Sequence, residues 1–251
     1  MNAGAGLLSV AYLFTFLLGL AVGSFVNVLI YRIPRGQSIL WPPSHCPVCG
    51  HRLAWKDNIP LLSYFLLRGR CRYCGARIPP RYPLVEAANA LLYLGLAWRF
   101  GFQRLLVFYW ALASLVLALS LIDLEHHRLP DPLTLTLGIT GLVFQILRHQ
   151  WMYGLLGGAF GLLLGGLIYL LATRVYGPDA FGLGDVKYLA AIGVWGGPFA
   201  VPVILFLASL FGTLGGLLIA WRRRTLRVGI PFGPFLSGAL LLTILLPQGI
   251  M

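Results

Sequence analysis

The first 31 residues carry no charged side chain, and the apolar run from Leu7 to Ile30 is long enough to cross about 30 Å of hydrocarbon as a helix. In lipid every backbone amide must find its partner inside the protein, so a run of this kind admits little besides a helix. A secretory signal would need a basic start and a shorter apolar core, so the segment reads as a retained first helix. Seven more apolar runs follow, at about 84–98, 105–123, 132–147, 154–173, 186–196, 199–221 and 232–247. The run at 186–196 is short, consistent with a tilted, re-entrant or protein-buried segment. With 59% hydrophobic and 10% charged residues, the chain has lipid as its main solvent. The expected fold is an all-α polytopic membrane protein of about eight transmembrane helices.

Charge bias orients these helices. If the loop after the first helix is cytoplasmic, Arg32, Arg35, Arg52, Lys56, Arg68, Arg70, Arg72, Arg77, Arg81, Arg128, Arg174, Lys187, Arg222, Arg223, Arg224 and Arg227 fall inside. Only Arg99, Arg104 and Arg148 fall outside, which places the N-terminus externally. The net charge of +12 is thereby accounted for by topology and by anionic headgroups. No basic helix or aromatic platform for nucleic acid is visible.

Residues 33–82 form the one sizeable polar region and hold all four cysteines, as Cys46-Pro47-Val48-Cys49 and Cys71-Arg72-Tyr73-Cys74. Gly50 and Gly75 follow the pairs and permit the tight turn that aims backbone amides at thiolate sulfurs. Two such knuckles supply the four ligands that tetrahedral zinc prefers, and about 50 residues bury too little core to fold without a staple. Two disulfides are the competing reading, which a reducing cytoplasm disfavours. The expectation is a closed, structural zinc site in a small zinc-ribbon-like cytoplasmic domain between helices 1 and 2, with His45 and His51 as flanking loop residues. The chain then divides into a first helix at 1–32, a zinc-binding domain at 33–82 and a seven-helix core at 83–251.

Only seven acidic residues occur, and two of them, Asp123 and Asp185, interrupt apolar runs at what the topology makes the same cytoplasmic face. A carboxylate near hydrocarbon is costly and marks function by default. Two close carboxylates cannot both ionise cheaply, so one serves as acid and the other as base on a shared water. The first lies in Leu121-Ile122-Asp123-Leu124-Glu125-His126-His127-Arg128-Leu129-Pro130-Asp131 and the second in Phe181-Gly182-Leu183-Gly184-Asp185-Val186-Lys187. Asp131, ahead of Pro132, reads as a helix N-cap. Gly182 and Gly184 allow another backbone near Asp185, while Lys187, His126 and His127 are placed to tune the pair or to meet headgroups. Glycines at four-residue spacing, Gly157-Gly161-Gly165, Gly19-Gly23 and Gly212-Gly216, read as helix-packing faces rather than phosphate loops.

In these motifs, and in their order, the chain resembles the prepilin peptidases, or type IV leader peptidases. The resemblance covers nearly the whole length: Gly23-Ser24-Phe25-Val26-Asn27-Val28, Tyr31-Arg32-Ile33-Pro34, both cysteine pairs, Asp57-Asn58-Ile59-Pro60, Arg81-Tyr82-Pro83-Leu84-Val85-Glu86, the two aspartate motifs and Pro231-Phe232-Gly233-Pro234-Phe235. It implies an aspartic endopeptidase of the Gly-x-Gly-Asp type in the bacterial inner membrane. Such an enzyme removes the basic leader from type IV prepilins or type II secretion pseudopilins after a glycine. Asp123 and Asp185 match the catalytic positions, with Gly182, Gly184, Lys187, Glu125 and Asp131 supporting; many relatives carry Asp where this chain has Glu125. The resemblance also implies N-methylation of the new N-terminus with S-adenosylmethionine, linked to Gly69, Glu86 and Asn27. Two other classes account for part of the pattern. A transporter using the aspartates as a proton or cation relay predicts midplane polar residues and repeat symmetry. A zinc-bearing assembly scaffold leaves the aspartates without purpose.

Overall fold

The apolar runs fold as helices, and no β-strand occurs among the described residues of the computed structural model, which are 3–177, 181–223 and 231–245. In chain order they are α1 (Ala3–Arg32), a short α2 (Leu62–Leu66), α3 (Arg81–Phe100), α4 (Leu106–His126), α5 (Asp131–Leu147), α6 (Trp151–Tyr176), α7 (Leu183–Arg223) and α8 (Gly233–Leu245). Four of them, α1, α4, α6 and α7, are long and apolar enough to cross a membrane. Arg224, Arg227 and the end of the run at 232–247 lie outside the described residues.

The chain divides into two compact units, Met1–Ser114 and Leu115–Met251, with the division inside α4. Polarity marks boundaries at 32/33 and 82/83, whereas packing groups α3 with α1. The first property reports solvent and the second reports partners.

In the first unit α1 and α3 approach at Gly19 and Gly23. A Cβ on Gly19 would lie 2.6 Å from Ala90 Cα, and one on Gly23 2.8 Å from Glu86 Cα. Such close contact brings polar groups into reach. Asn89 donates to the Gly19 carbonyl at 2.8 Å and accepts from Ser114 Oγ at 2.8 Å, and Ser114 lies 3.0 Å from the Tyr93 hydroxyl. Asn89 and Ser114 are buried, and the network satisfies them without water.

In the second unit α7 packs against α5, α6 and α8. The runs at 186–196 and 199–221 are parts of this one element, broken at Gly197, whose φ of 74° is outside the helical range. Pro198 has no N–H, so the Val194 carbonyl four residues earlier loses its helical donor. Gln145 of α5 replaces it, donating to Val194 O at 3.3 Å and to Trp195 O at 2.8 Å. Trp195 answers with a bond to Leu137 O at 2.8 Å, its ring lying over Gly141. The break is thus held from α5.

The glycine face of α6 rests directly on α7. A Cβ on Gly161 would lie 2.5 Å from Leu189 O and 3.0 Å from Ala190 Cα, both backbone atoms that cannot rotate away. Gly161→Leu is therefore expected to destabilise the second unit at or beyond the upper end of the roughly 1–3 kcal/mol typical of overpacking. Gly166→Leu, with nothing within 4 Å of its Cβ, should be tolerated. Apparent Tm values of the two solubilised variants test this; equal values would remove the α6–α7 contact from the account.

Candidate active site and cysteine cluster

Asp123 sits in the last turn of α4 and is 6% exposed. Its Oδ2 accepts the backbone N–H of Gly233, the first residue of α8, at 2.9 Å. The amides at a helix start lack internal acceptors and carry partial positive charge, so they suit a carboxylate. Any larger residue at 233 would displace the carboxylate or the helix start, because a Cβ there would lie 2.8 Å from Asp123 Oδ2 and 3.2 Å from its Cβ.

Asp185 is the third residue of α7, and the backbone amide of Gly182 hydrogen-bonds its carboxylate. This is the reach-back of a capping box, in which an acidic residue at the third helical position satisfies the amide ahead of the helix. Asp185 Oδ1 is buried with no partner in the protein, which keeps its acceptor capacity for a donor from elsewhere. The Asp123 and Asp185 carboxyls interact electrostatically, and both act on the fully buried Tyr188 one turn further along α7. The Tyr188 hydroxyl lies 2.6 Å from Ser237 Oγ, and Ser237 donates to the Gly233 carbonyl at 2.8 Å. Gly233 thus holds Asp123 through its N–H and Ser237 through its C=O, joining α4, α7 and α8 around the two carboxyls.

The other motif residues take varied places. Asp131 is not the N-cap of α5. Pro130, in extended conformation, holds that position, and no side-chain cap bond forms. Asp131 instead accepts both contacts from Lys187 Nζ, at 2.7 and 2.9 Å, tying the start of α5 to the start of α7. Gly184 lies against Leu129, where a Cβ would come within 3.2 Å of the leucine Cβ, and a Cβ on Gly182 would lie 3.1 Å from Asp185 Oδ2. Glu125 is exposed at the end of α4. The sequence motifs do not single out Gly233, Tyr188 or Ser237 as site residues; Gly233 enters only as part of Pro231-Phe232-Gly233-Pro234-Phe235.

The two cysteine pairs form matching hairpin turns. Cys46 N–H donates to His51 O at 3.0 Å and Gly50 N–H to Cys46 O at 2.9 Å; Cys71 N–H donates to Ala76 O at 2.8 Å and Gly75 N–H to Cys71 O at 2.9 Å. Gly50 and Gly75 share a φ of 71°. All four sulfurs lie within 4.8 Å of one another, with Cys46 and Cys74 Sγ 3.9 Å apart. A tetrahedron of thiolates about 2.3 Å from zinc has edges of roughly 3.8 Å, so the residues fit that ion. The Cys49 amide, aimed at the Cys46 sulfur, holds its pKa down to about 7 and favours the thiolate a metal needs. Asp57 braces the cluster from one side. Burial opposes its charge, but bonds from Arg72 Nε at 2.7 Å, the Ala54 amide at 3.3 Å and the Tyr73 hydroxyl at 3.2 Å outweigh that and hold its carboxyl below the usual range. His51 stacks on Tyr73 with centroids 3.6 Å apart, and His45 bonds Pro43 O.

Asn27, Glu86 and Gly69 all belong to the first unit. Asn27 donates to Tyr82 O at 3.0 Å, and Glu86 Oε2 accepts the Leu61 N–H at 2.8 Å. Gly69, at φ 66°, turns the chain ahead of the second knuckle under the Tyr64 ring.

Residues 17–100 match the model of the bacterial peptidase A24 N-terminal domain, and residues 110–217 match that of the type IV leader peptidase family. Proteins named prepilin leader peptidase/N-methyltransferase are similar over most of the chain. That of Pseudomonas aeruginosa is 39% identical over 89% of this chain and 86% of its own length. The Pseudomonas putida protein is 37% identical over 90% and 88%, and the Myxococcus xanthus protein 42% over 82% and 62%. No solved structure shows significant similarity.

Proposed function

Because the chain belongs to the type IV leader peptidase family, we propose that it is a membrane aspartic endopeptidase that removes the basic leader from type IV prepilins or type II secretion pseudopilins after a glycine, and that it N-methylates the new N-terminus. The observation that carries the peptidase reading is the pair of carboxyls in the second unit, each held by a backbone amide at a helix start. One carboxylate takes a proton from a water as that water attacks the scissile carbonyl carbon. The other, protonated, gives its proton to the carbonyl oxygen. In the tetrahedral diol the carboxyls exchange roles: the one that took the water proton gives it to the leaving nitrogen as the C–N bond breaks, and the other takes a proton from a diol hydroxyl, which restores the starting pair. Tyr188 and Ser237 set the position of Gly233 and, through it, of Asp123. Lys187 with Asp131, and Gly182 with Gly184, set the start of α7; Glu125 adds charge at the mouth.

Cys46, Cys49, Cys71 and Cys74 hold a structural zinc, closed to substrate, in the cytoplasmic domain at 33–82 between the first helix at 1–32 and the core at 83–251. The number of crossings is eight, counting α3, α5, α8 and the two parts of α7. Lys/Arg bias puts the zinc domain and both aspartates on the cytoplasmic side of the inner membrane, where a leader meets its apolar helix and anionic headgroups lie close. S-adenosylmethionine, when bound, supplies a methyl group activated by its sulfonium. Asn27 and Glu86, buried groups that accept hydrogen bonds, fit a cationic ligand of this kind, and Gly69 shapes the adjoining turn. The relatives' names describe enzymes, and the relay and scaffold readings gain nothing from them.

Coexpression with a type IV prepilin, followed by mass spectrometry of the pilin N-terminus, tests both activities. Leader loss with an added methyl group is the expected result, with one zinc per purified chain. An intact leader beside a stably expressed enzyme would overturn the peptidase reading.

A further inference from the structure

A Phe-Gly dipeptide stands at each amide that holds a carboxyl, as Phe181-Gly182 ahead of Asp185 and as Phe232-Gly233 at the start of α8. Gly233 donates to Asp123 Oδ2 at 2.9 Å, and the Gly182 amide bonds Asp185, whose Oδ2 lies 3.1 Å from where a Gly182 Cβ would stand. A peptide unit is planar, so the Cα of the preceding residue and the glycine N–H belong to one rigid plane. Whatever fixes the phenylalanine therefore fixes the direction in which the next amide points. The two rings meet: the Phe181 and Phe232 centroids are 6.0 Å apart, with their planes inclined at 60°. Aromatic rings attract one another at that separation when they are tilted rather than face to face.

Each end of this pair is built into its own helix start. Phe232 O accepts the N–H of Phe235 and of Leu236, both at 3.1 Å, and so opens α8. The Phe232 ring also reaches the far part of α7, since a Cβ on Gly212 would lie 3.8 Å from its Cε2. On the other side Gly182 O accepts the N–H of Asp185 at 3.1 Å and opens α7. Both rings are half-buried, whereas Tyr188 and Trp195, which pack α7 into the core, are fully buried. The pair is thus peripheral to the core. Asp123 is on α4 and Asp185 on α7, so their spacing depends on what joins their two amide donors. We infer that Phe181 and Phe232 are positioning residues that act as one clasp: the ring pair locks the two amide planes in register and so sets the spacing of Asp123 and Asp185 for hydrolysis. This rests on the reading that the chain cleaves its substrate with that pair of carboxyls.

Steady-state cleavage of a type IV prepilin by the solubilised full chain tests the clasp. Misplacing a reacting group by about 1 Å costs on the order of 100-fold, so Phe181→Leu and Phe232→Leu should each lower kcat by about tenfold or more, with KM within about twofold of wild type. A clasp can be lost only once, so the double variant should be within about threefold of the slower single variant. Phe181→Tyr and Phe232→Tyr keep the ring and should hold kcat within about threefold of wild type. Elution volume and zinc content should match wild type throughout; where a leucine variant fails to fold, methionine keeps the volume without the ring and takes its place. Losses that multiply in the double variant overturn the clasp, because independent residues contribute separately. A raised KM with unchanged kcat also overturns it, giving the rings to substrate binding instead. Tyrosine variants as slow as the leucine ones remove the ring contact from the account. Unaltered kinetics in both leucine variants, beside a wild type that cleaves, overturn this pair alone. A wild type that leaves the prepilin intact overturns the peptidase reading itself.

Discussion

Asp123→Asn and Asp185→Asn are each expected to leave a coexpressed prepilin uncut. A carboxamide has nearly the shape of a carboxylate, so Asn at 123 still offers an oxygen to the Gly233 amide, which lies 2.9 Å from Asp123 Oδ2. It cannot exchange a proton with water or with a carbonyl oxygen, and general acid–base steps contribute roughly 10²–10⁴-fold each. Loss of cleavage by about 10³-fold or more is therefore expected in both variants, read as the intact leader mass. Membrane abundance, zinc content and elution volume should stay at wild-type values. Cleavage retained in either variant removes that aspartate from the reaction, and with it the two-carboxyl mechanism. A fall in zinc content alongside the loss would point to misfolding instead of chemistry.

The second large effect belongs to a residue with no side chain. Gly233→Ala places a methyl group 2.8 Å from Asp123 Oδ2, closer than real Cβ contacts come, so either the carboxylate or the start of α8 must move. Misplacement of a reacting group by about 1 Å is worth on the order of 100-fold in rate, and the variant should lose about that much cleavage while remaining folded. Gly238→Ala, in the same helix with nothing within 4 Å of the new Cβ, should cut like wild type. Initial rates on a prepilin in detergent micelles measure both. Equal rates for the two variants would mean that the amide-to-carboxylate bond does not set the geometry of the reaction.

The contrast between these two predictions shows where sequence reading works. Helix positions follow from apolar runs, because lipid leaves the backbone no alternative, and Gly197-Pro198 marks the interruption in α7 because a proline always removes one donor. The knuckles follow from cysteine spacing and from Gly50 and Gly75, whose positive φ is a local demand. The hold on Asp123 is different. Its donor is a main-chain amide 110 residues away, and every residue but proline has one, so no side-chain pattern announces it. Asp131 shows the opposite failure. A local rule favours a cap beside proline, yet Lys187, 56 residues on, takes the carboxylate, since a cation across two helix starts competes with any cap. Tyr188 is invisible for a third reason: in an apolar run an aromatic residue reads as packing, and only the bond to Ser237 reveals its polar end.

The bond between Asp123 and Gly233 also has a consequence in time. Both aspartates leave the ribosome before α8 exists, and the amide that holds the first of them is made only after both. A nascent chain stopped short of Phe232 already contains the two carboxyls and both glycines of the second motif, yet lacks the strut that aligns them. The fixed position of Asp123 therefore waits on the docking of α8. The Gly233 amide thus acts as a late keystone for a carboxylate made long before it.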